Sequence, residues 1–564
     1  MERVQSGGSR GSLVAVGREV ERRAMTYKAL TRRSLVRGGL AACATAGLAA
    51  CADQGAAGVS AADAARQVTI VMSPSSEPDA GFDPCVAWGC GEHAHEPLIQ
   101  STLIRTDASM EFVCDLATSY ECSDDRLSWT FTLRDDANYS DGEPVRASDV
   151  AFTVATIKGS QNAQADLSAV DSVECPDEHT VVFRLDKPFN ALLYTLAVLG
   201  IVPEHAYGAD YGKNPVGSGR YKLAQWDRGQ QVILEANPAY YGEAPRVERL
   251  VVAFMEEDAA LAAVRAGRVD MAYTSATLAN QQVEGYTLES YDTVDSRGIQ
   301  LPVVASGATR ADGANTYPAG NDVTCNLEVR QAINLAIDRQ ALIDDVLDGH
   351  GSVAYSIGDG LPWASADMKV ETNTDRAETL LASAGWSRGT DGVYARDGLT
   401  CAFDLYYPST DSVRQAMANA IADQLAGVGI KVTPKGGAWD DIYPHEFSDP
   451  VMWGWGSNSP TDVYELYRSD GNLNFACRED AATDAYLDEA LAAPTAEESY
   501  ELWQKAEWDG ERGPAPQGDA SWVWFANVSH LYWKREGLEV AAQKLQPHGH
   551  GWSILNDVDA WSWA

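Results

Sequence analysis

Residues 127–158 read LSWTFTLRDDANYSDGEPVRASDVAFTVATIK. Trp129, Phe131 and Leu133 alternate with Thr130, Thr132 and Arg134, the period of a strand with one buried face. Ser140, Asp141, Gly142 and Pro144 then supply turn chemistry. Ser148 is placed to cap a following helix, whose apolar positions Val150, Val154 and Ile157 share one side. The unit is strand, turn, helix.

Working outward, the same rhythm recurs. Residues 67–72 (QVTIVM), 180–185 (TVVFRL) and 250–255 read as strands, and 191–199 as an apolar helix. Residues 258–273 (DAALAAVRAGRVDMAY) predict a helix stopped at Gly267 and followed by a strand. Residues 214–221 (NPVGSGRY) predict a tight crossing, with two glycines and a proline. From about Arg297 a second lobe begins, with a helical region at 326–349, a capped helix at 375–386 and a long helix within 411–432. In that last helix Val413, Met417, Ile421 and Leu425 lie four apart, and Arg414 falls on either its surface or its packed side. Thr495 and Glu498 form a capping box, and 521–532 is an aromatic strand returning toward the first lobe. Strand–helix–strand repetition argues for α/β lobes, and the absence of a long linker argues that the lobes are intertwined.

The chain has 564 residues, 45% hydrophobic and 22% charged, which fits a folded protein of more than one lobe. Its formal net charge of −38 disfavours nucleic acid and anionic lipid surfaces as partners.

Residues 26–51 (TYKALTRRSLVRGGLAACATAGLAAC) place Lys28, Arg32, Arg33 and Arg37 before an Ala/Gly-rich stretch. About fourteen residues is too short for a permanent membrane span. The segment resembles a twin-arginine export signal, and Leu48-Ala49-Ala50-Cys51 resembles a lipobox, which implies lipidation at Cys51. Residues 1–51 are therefore read as a signal region, with Met1 or Met25 as the start, and 52–66 as a flexible tether. Export leaves eight cysteines in a compartment that permits disulfides, and Cys114 with Cys122 is a plausible local pair.

The wording of the opening stretch, with Pro215–Tyr221, Ala236–Tyr241, Val329–Asp338, Ala377–Trp386 and Met452–Trp455 in the same order, closely resembles the peptide/nickel type (family 5) of solute-binding proteins that serve ABC importers. The likeness covers roughly residues 67–564. It implies a type II periplasmic-binding-protein fold: two α/β lobes, an accessory subdomain on the first, and a ligand cleft between lobes. The boundaries expected are 67–97, 214–297 and 530–564 for lobe I, 98–213 for the accessory subdomain and 298–529 for lobe II. Arg220 stands where the family usually has a smaller or cyclic residue.

The resemblance also implies the mechanism. A ligand touching both lobes stabilises the closed form, which docks on a permease while a cytoplasmic ATPase supplies the work. This chain has no Walker-type phosphate loop, no GxSxG elbow and no HExxH site, so no catalysis and no cofactor are expected. The expected protein is a monomer outside the cytoplasm, held to the membrane by lipid. A surface receptor that senses ligand without transport is the other functional class.

Ligand candidates are Trp88, Trp453, Trp455, Asn458, Asp462 and Arg414. Asn458 stands where peptide-binding relatives place an aspartate for the peptide's amino group, so that charge-assisted bond is missing. Arg414 is the one arginine near where dipeptide binders hold the carboxylate. Both departures point away from a simple dipeptide and leave longer peptides open. The nickel branch stays open as well, with His93, His95, His548 and His550 as candidate ligands, since imidazole suits nickel and zinc.

Overall fold

The computed structural model describes residues 66–564 apart from 79, 87, 88, 91, 92, 161, 162, 164, 313, 314 and 550. Cys51, Trp88 and His550 lie outside the described residues, as does the side chain of His93.

Two sheets organise the molecule. A seven-stranded sheet runs in the order Tyr221–Asp227, Gln231–Ala236, Arg249–Phe254, Gln67–Met72, Met271–Thr274, His530–Arg535, Tyr286–Tyr291. Gln67–Met72 pairs in parallel with both neighbours, and Val68, Ile70, Val71 and Met72 are fully buried, as a central strand covered on both faces requires. A four-stranded sheet runs Gly351–Val353, Trp522–Val528, Ser296–Gln300, Met452–Trp455. Beside it, Ala402–Pro408 and Lys431–Gly437 pair in parallel, joined by the helix Ser412–Gly427. That helix buries Met417, Ile421 and Leu425, as their spacing predicts, and Asp411 caps it by accepting from the Arg414 amide at 2.9 Å.

The chain passes between the sheets twice at one place. Tyr286–Tyr291 leads through residues 292–295 into Ser296–Gln300, and Trp522–Val528 leads through Ser529 into His530–Arg535. Thr293 Oγ1 donates to the Val528 carbonyl at 2.8 Å, and the Val528 amide donates to the Asp295 carbonyl at 2.9 Å. The C-terminal segment joins them: Thr293 bridges Gln546 in parallel, and the Val294 amide donates to the Gln546 carbonyl. Three strands of chain thus lie side by side where the lobes meet.

The opening stretch builds a third unit. Ser128–Leu133 sits inside a four-stranded antiparallel sheet with Trp129, Phe131 and Leu133 buried. The helix that follows, Ala147–Gly159, is not capped by Ser148. It starts two residues earlier than that cap requires, with Arg146 at the N-cap, and the Asp149 carboxylate accepts from the Arg146 amide at 2.9 Å instead. Asp149 Oδ1 also accepts from the Glu204 amide at 3.1 Å, which fixes its rotamer and favours it as the capping group. This unit packs on two neighbours. Asn190 Nδ2 donates to the Ala490 carbonyl at 2.9 Å, its amide donates to the Leu491 carbonyl, and Tyr194 meets Trp363 edge to face.

Cys114 and Cys122 are not paired; both thiols are free. Cys114 ends a two-stranded ribbon, while Cys122 ends the strand Ala117–Cys122 of another sheet.

The tight crossing at residues 214–221 has a steric cause. A Cβ at Gly217 would collide with the Ile99 carbonyl, and one at Gly219 would stand 2.7 Å from the Gln100 and Ile99 carbonyl oxygens. Arg220 is buried there against Asp559, which explains how a long cation is tolerated.

Candidate functional site

A cavity of about 330 Å³ opens beside the crossovers. Its walls come from every part of the chain: His95 and Glu96 from the start of the first lobe, Tyr194 to Leu199 from the third unit, Ser457 to Asp462 from the loop after Met452–Trp455, and Ser553 and Asn556 from the C-terminal segment. The sequence candidates Asn458, Asp462 and His95 all line it.

Polar side chains stand in its wall. Asn458 Nδ2 donates to the Leu545 carbonyl at 3.2 Å, which turns its Oδ1 the other way, and that oxygen is buried without a hydrogen-bond partner. Asn556 Oδ1 is in the same state. Burial pushes the Asp462 carboxyl up to about 6, against the hydrogen bonds from Ser457 that favour its ionised form. Glu96 is neutralised by Lys544, which also donates to the Thr106 carbonyl and hydroxyl. His95 is buried, and its Nδ1 lies 2.9 Å from Ser553 Oγ. Burial, with the nearby His530, lowers its pKa to about 4, so the ring is neutral at pH 7. The stretch Ala197-Val198-Leu199 forms the apolar side. Such a space suits a small solute with hydrogen-bond donors at one end and an apolar body.

Trp453 is a correction to the sequence reading: it is core. Its ring is stacked between Trp439 at 5.4 Å and Phe475 at 4.5 Å, and Nε1 donates to Gln300 Oε1 at 2.9 Å. With both faces covered it has none for a ligand. Trp455, two residues on and pointing the same way, is half-buried at the rim of that stack.

Arg414 falls on the packed side of its helix, 7% exposed. Its guanidinium lies beside a second charged group that sequence did not single out. Asp295, in the first crossover, is 2% exposed and is ion-paired with Arg297 and His548, while its Oδ2 lies 3.3 Å from His530 Nε2 and accepts from the Gly549 amide at 3.3 Å. Desolvation opposes its ionisation, but the Arg297 guanidinium and His548 prevail and hold the carboxyl well below its usual range. His530 Nδ1 contacts Gln546 Oε1 at 2.7 Å. No local periodicity marks Asp295, Arg297, His530 or Asn556 as special; they meet only because the crossovers and the C-terminal segment meet.

Of the candidate metal ligands, His548 is ion-paired with Asp295, and His95 lies against Ser553 and near His530. Among the described residues, no group of three or more His, Cys, Asp or Glu side chains could hold a metal ion. Nor, among them, is any helix long and apolar enough to cross a membrane.

Comparison with known proteins accounts for this architecture. The family model described as bacterial extracellular solute-binding proteins, family 5 Middle, matches residues 111–476. Protein XP55 of Streptomyces lividans is 33% identical over 487 residues, covering 82% of this chain and 84% of that protein. The oligopeptide-binding protein AppA of Bacillus subtilis is 27% identical over 426 residues, covering 70% and 75%. Among solved structures, NikZ from Campylobacter jejuni in complex with Ni(L-His) matches with a TM-score of 0.72 at 24% identity, over 88% of this chain and 99% of that one. AppA from Bacillus subtilis in complex with a nonapeptide matches with a TM-score of 0.66 at 22% identity, over the same shares. At these identities the structures speak for the fold, which is the type II periplasmic-binding-protein fold. With about two thirds of the chain length inside the family model and a relative 33% identical over 82% of the chain, the chain belongs to the bacterial extracellular solute-binding proteins, family 5.

Proposed function

We propose that this protein is the lipid-anchored, extracytoplasmic binding component of a peptide/nickel-type ABC importer, and that it captures an oligopeptide by lobe closure and delivers it to the membrane permease. The observation that carries this reading is the cavity beside the crossovers, walled by both lobes and lined by the polar side chains of Asn458, Asp462 and Asn556. Asp462 and Asn458 take the ammonium end of the solute, and Trp455 and the Ala197–Leu199 wall take its body. Lipidation at Cys51 holds the protein at the outer face of the membrane. It works as a monomer with permease subunits and their ATPases.

A second reading has its own support. At about 330 Å³ the cavity is near the lower end for ligand sites, which favours a compact solute over a long peptide. A metal chelate that brings its own ligands fits that size and the lack of a three-residue metal cluster among the described residues.

A thermal-shift screen of di- to octapeptides, nickel–histidine and other metal chelates separates the readings, because binding to the native state raises the melting temperature. A shift with peptides supports the first. A shift with nickel–histidine and none with any peptide overturns it. For the anchor, Cys51→Ala should release the protein from the membrane fraction; unchanged retention and processing would rule out lipidation there.

A further inference from the structure

The wall of the cavity carries charge of one sign. Its acidic and basic side chains are His95, Glu96, Asp166 and Asp462, and no lysine or arginine stands among the described residues that line it. Two of the four are silenced. Glu96 is ion-paired with Lys544, and His95 is neutral at pH 7 because burial lowers its pKa to about 4. Asp166 and Asp462 are left. They come from different units: Asp166 precedes the strand Val170–Glu174 of the third unit, and Asp462 lies in the first turn of the helix Thr461–Tyr467 in the second lobe.

Neither carboxylate has a cation of its own among the described residues. Asp166 Oδ1 accepts from the Ser168 amide at 2.9 Å, and Asp462 is held by hydrogen bonds from Ser457. Glu465, one turn on from Asp462 in the same helix, adds a third like charge. Burial raises its carboxyl first, and Asp166 raises it further; burial likewise raises Asp462, and Glu465 adds to that. The three acids therefore share one field, although they arise from two units. Carboxylates grouped in a partly enclosed space repel one another and lose hydration. Low-dielectric walls concentrate their potential in the opening. A cationic group placed between the units lowers both costs and gains charge-assisted hydrogen bonds. A solute with a single ammonium, seated at Asp462, leaves Asp166 uncompensated.

We propose that Asp166 is a second cation seat of the cavity, so that the preferred solute is a compact dication: a short peptide whose free ammonium meets Asp462 and whose first side chain, a lysine or arginine, meets Asp166. The proposal rests on the solute-binding reading above and adds a charge to the solute class. A dication that touches both carboxylates ties the third unit to the second lobe. It adds to the Asn190 contact with the Ala490 carbonyl, which already joins these two parts, and favours the arrangement in which they are together. A solute with an acidic side chain is repelled at the same place.

The test uses the exported protein near neutral pH and two sets of probes, read by isothermal titration at matched ionic strength. Matching removes general screening. The first set is lysyl-alanyl-alanine, norleucyl-alanyl-alanine and glutamyl-alanyl-alanine, which differ in the charge of one side chain. The lysyl peptide should bind at least about tenfold tighter than the norleucyl one, the worth of one hydrogen bond to a charged group. The glutamyl peptide should bind most weakly. In Asp166→Asn the ratio of lysyl to norleucyl affinity should fall to about one, and Asp166→Glu should keep part of it. Because the readout is a ratio within one protein, a general loss of stability does not imitate it. Equal affinity for the lysyl and norleucyl peptides discards the second seat and leaves the peptide reading intact. A full preference in Asp166→Asn places the second cation elsewhere and overturns the assignment. The second set is cadaverine and pentylamine, a free diamine and its monoamine. Preferred binding of the diamine, with no peptide bound, keeps the dication seat and discards the peptide reading. Failure of every probe in both sets overturns the two together.

Discussion

Glu507 shows how far burial moves a single group. It is fully buried, with its carboxylate bonded by the Ser356 hydroxyl and by the Ser365 amide at 2.7 Å. Desolvation prevails over those bonds and pushes the carboxyl up to about 8. An acid raised in the folded state binds its proton more tightly there than in the unfolded chain, so this group's contribution to stability falls as pH rises from about 4.5 to about 8. The loss is roughly 3 kcal/mol between pH 4.5 and pH 7. Glu507→Gln keeps one donor and one acceptor for the two serines. Its melting temperature should exceed that of the parent at pH 7 and match it near pH 4.5; an identical pH profile in both proteins would contradict desolvation of Glu507 as the cause. Asp462, raised to about 6, makes a related prediction for binding. A peptide with a free ammonium should bind more weakly as pH falls from 7 to 5, by about tenfold, whereas its N-acetylated form should not respond. Asp462→Asn should remove the dependence. At this scale sequence was informative where a residue's neighbours are local. Asn458 and Asp462 follow the Trp-Gly-Trp strand and do line the cavity. Trp453 misled because periodicity cannot say that Trp439 and Phe475 cover both of its faces.

Elements were more legible than residues, because strand and helix periods are local properties of the chain. The alternation at residues 129–133, the glycine stop at Gly267 and the Thr495 cap all appear where the sequence places them. What the periods do not contain is which element lies against which. The third unit closes on the helix Ala481–Leu491, roughly 300 residues later, through Asn190 and through an Arg126 hydrogen bond to the Ala492 carbonyl. These contacts satisfy carbonyls at a helix C-terminus that have no partner within the helix. Asn190→Ala should therefore weaken the closed arrangement by about 1 kcal/mol, seen as a larger radius of gyration in small-angle scattering of the solute-loaded protein. Unchanged scattering would mean that these contacts do not report closure. Within the first lobe, Gly217→Ala forces a methyl against the Ile99 carbonyl and should cost about 2 kcal/mol or more; chemical denaturation measures it.

At the scale of the molecule, two sheets share one double crossover, and the buried charges of Asp295, Arg297, His530 and His548 lie at that crossing. The order of motifs along the chain announced the family and its fold. It did not announce the solute, because the cavity is built by segments far apart in sequence, from His95 to Asn556. The most direct measurement is isothermal titration of the strongest compound from the screen into the exported protein and into Ser459→Trp, which fills the cavity from a half-buried wall position. If the solute occupies this cavity, binding is saturable and one-to-one in the first and at least about 100-fold weaker in the second, with the melting temperature of the free variant preserved. Equal affinity in both proteins would place the solute elsewhere and contradict that assignment.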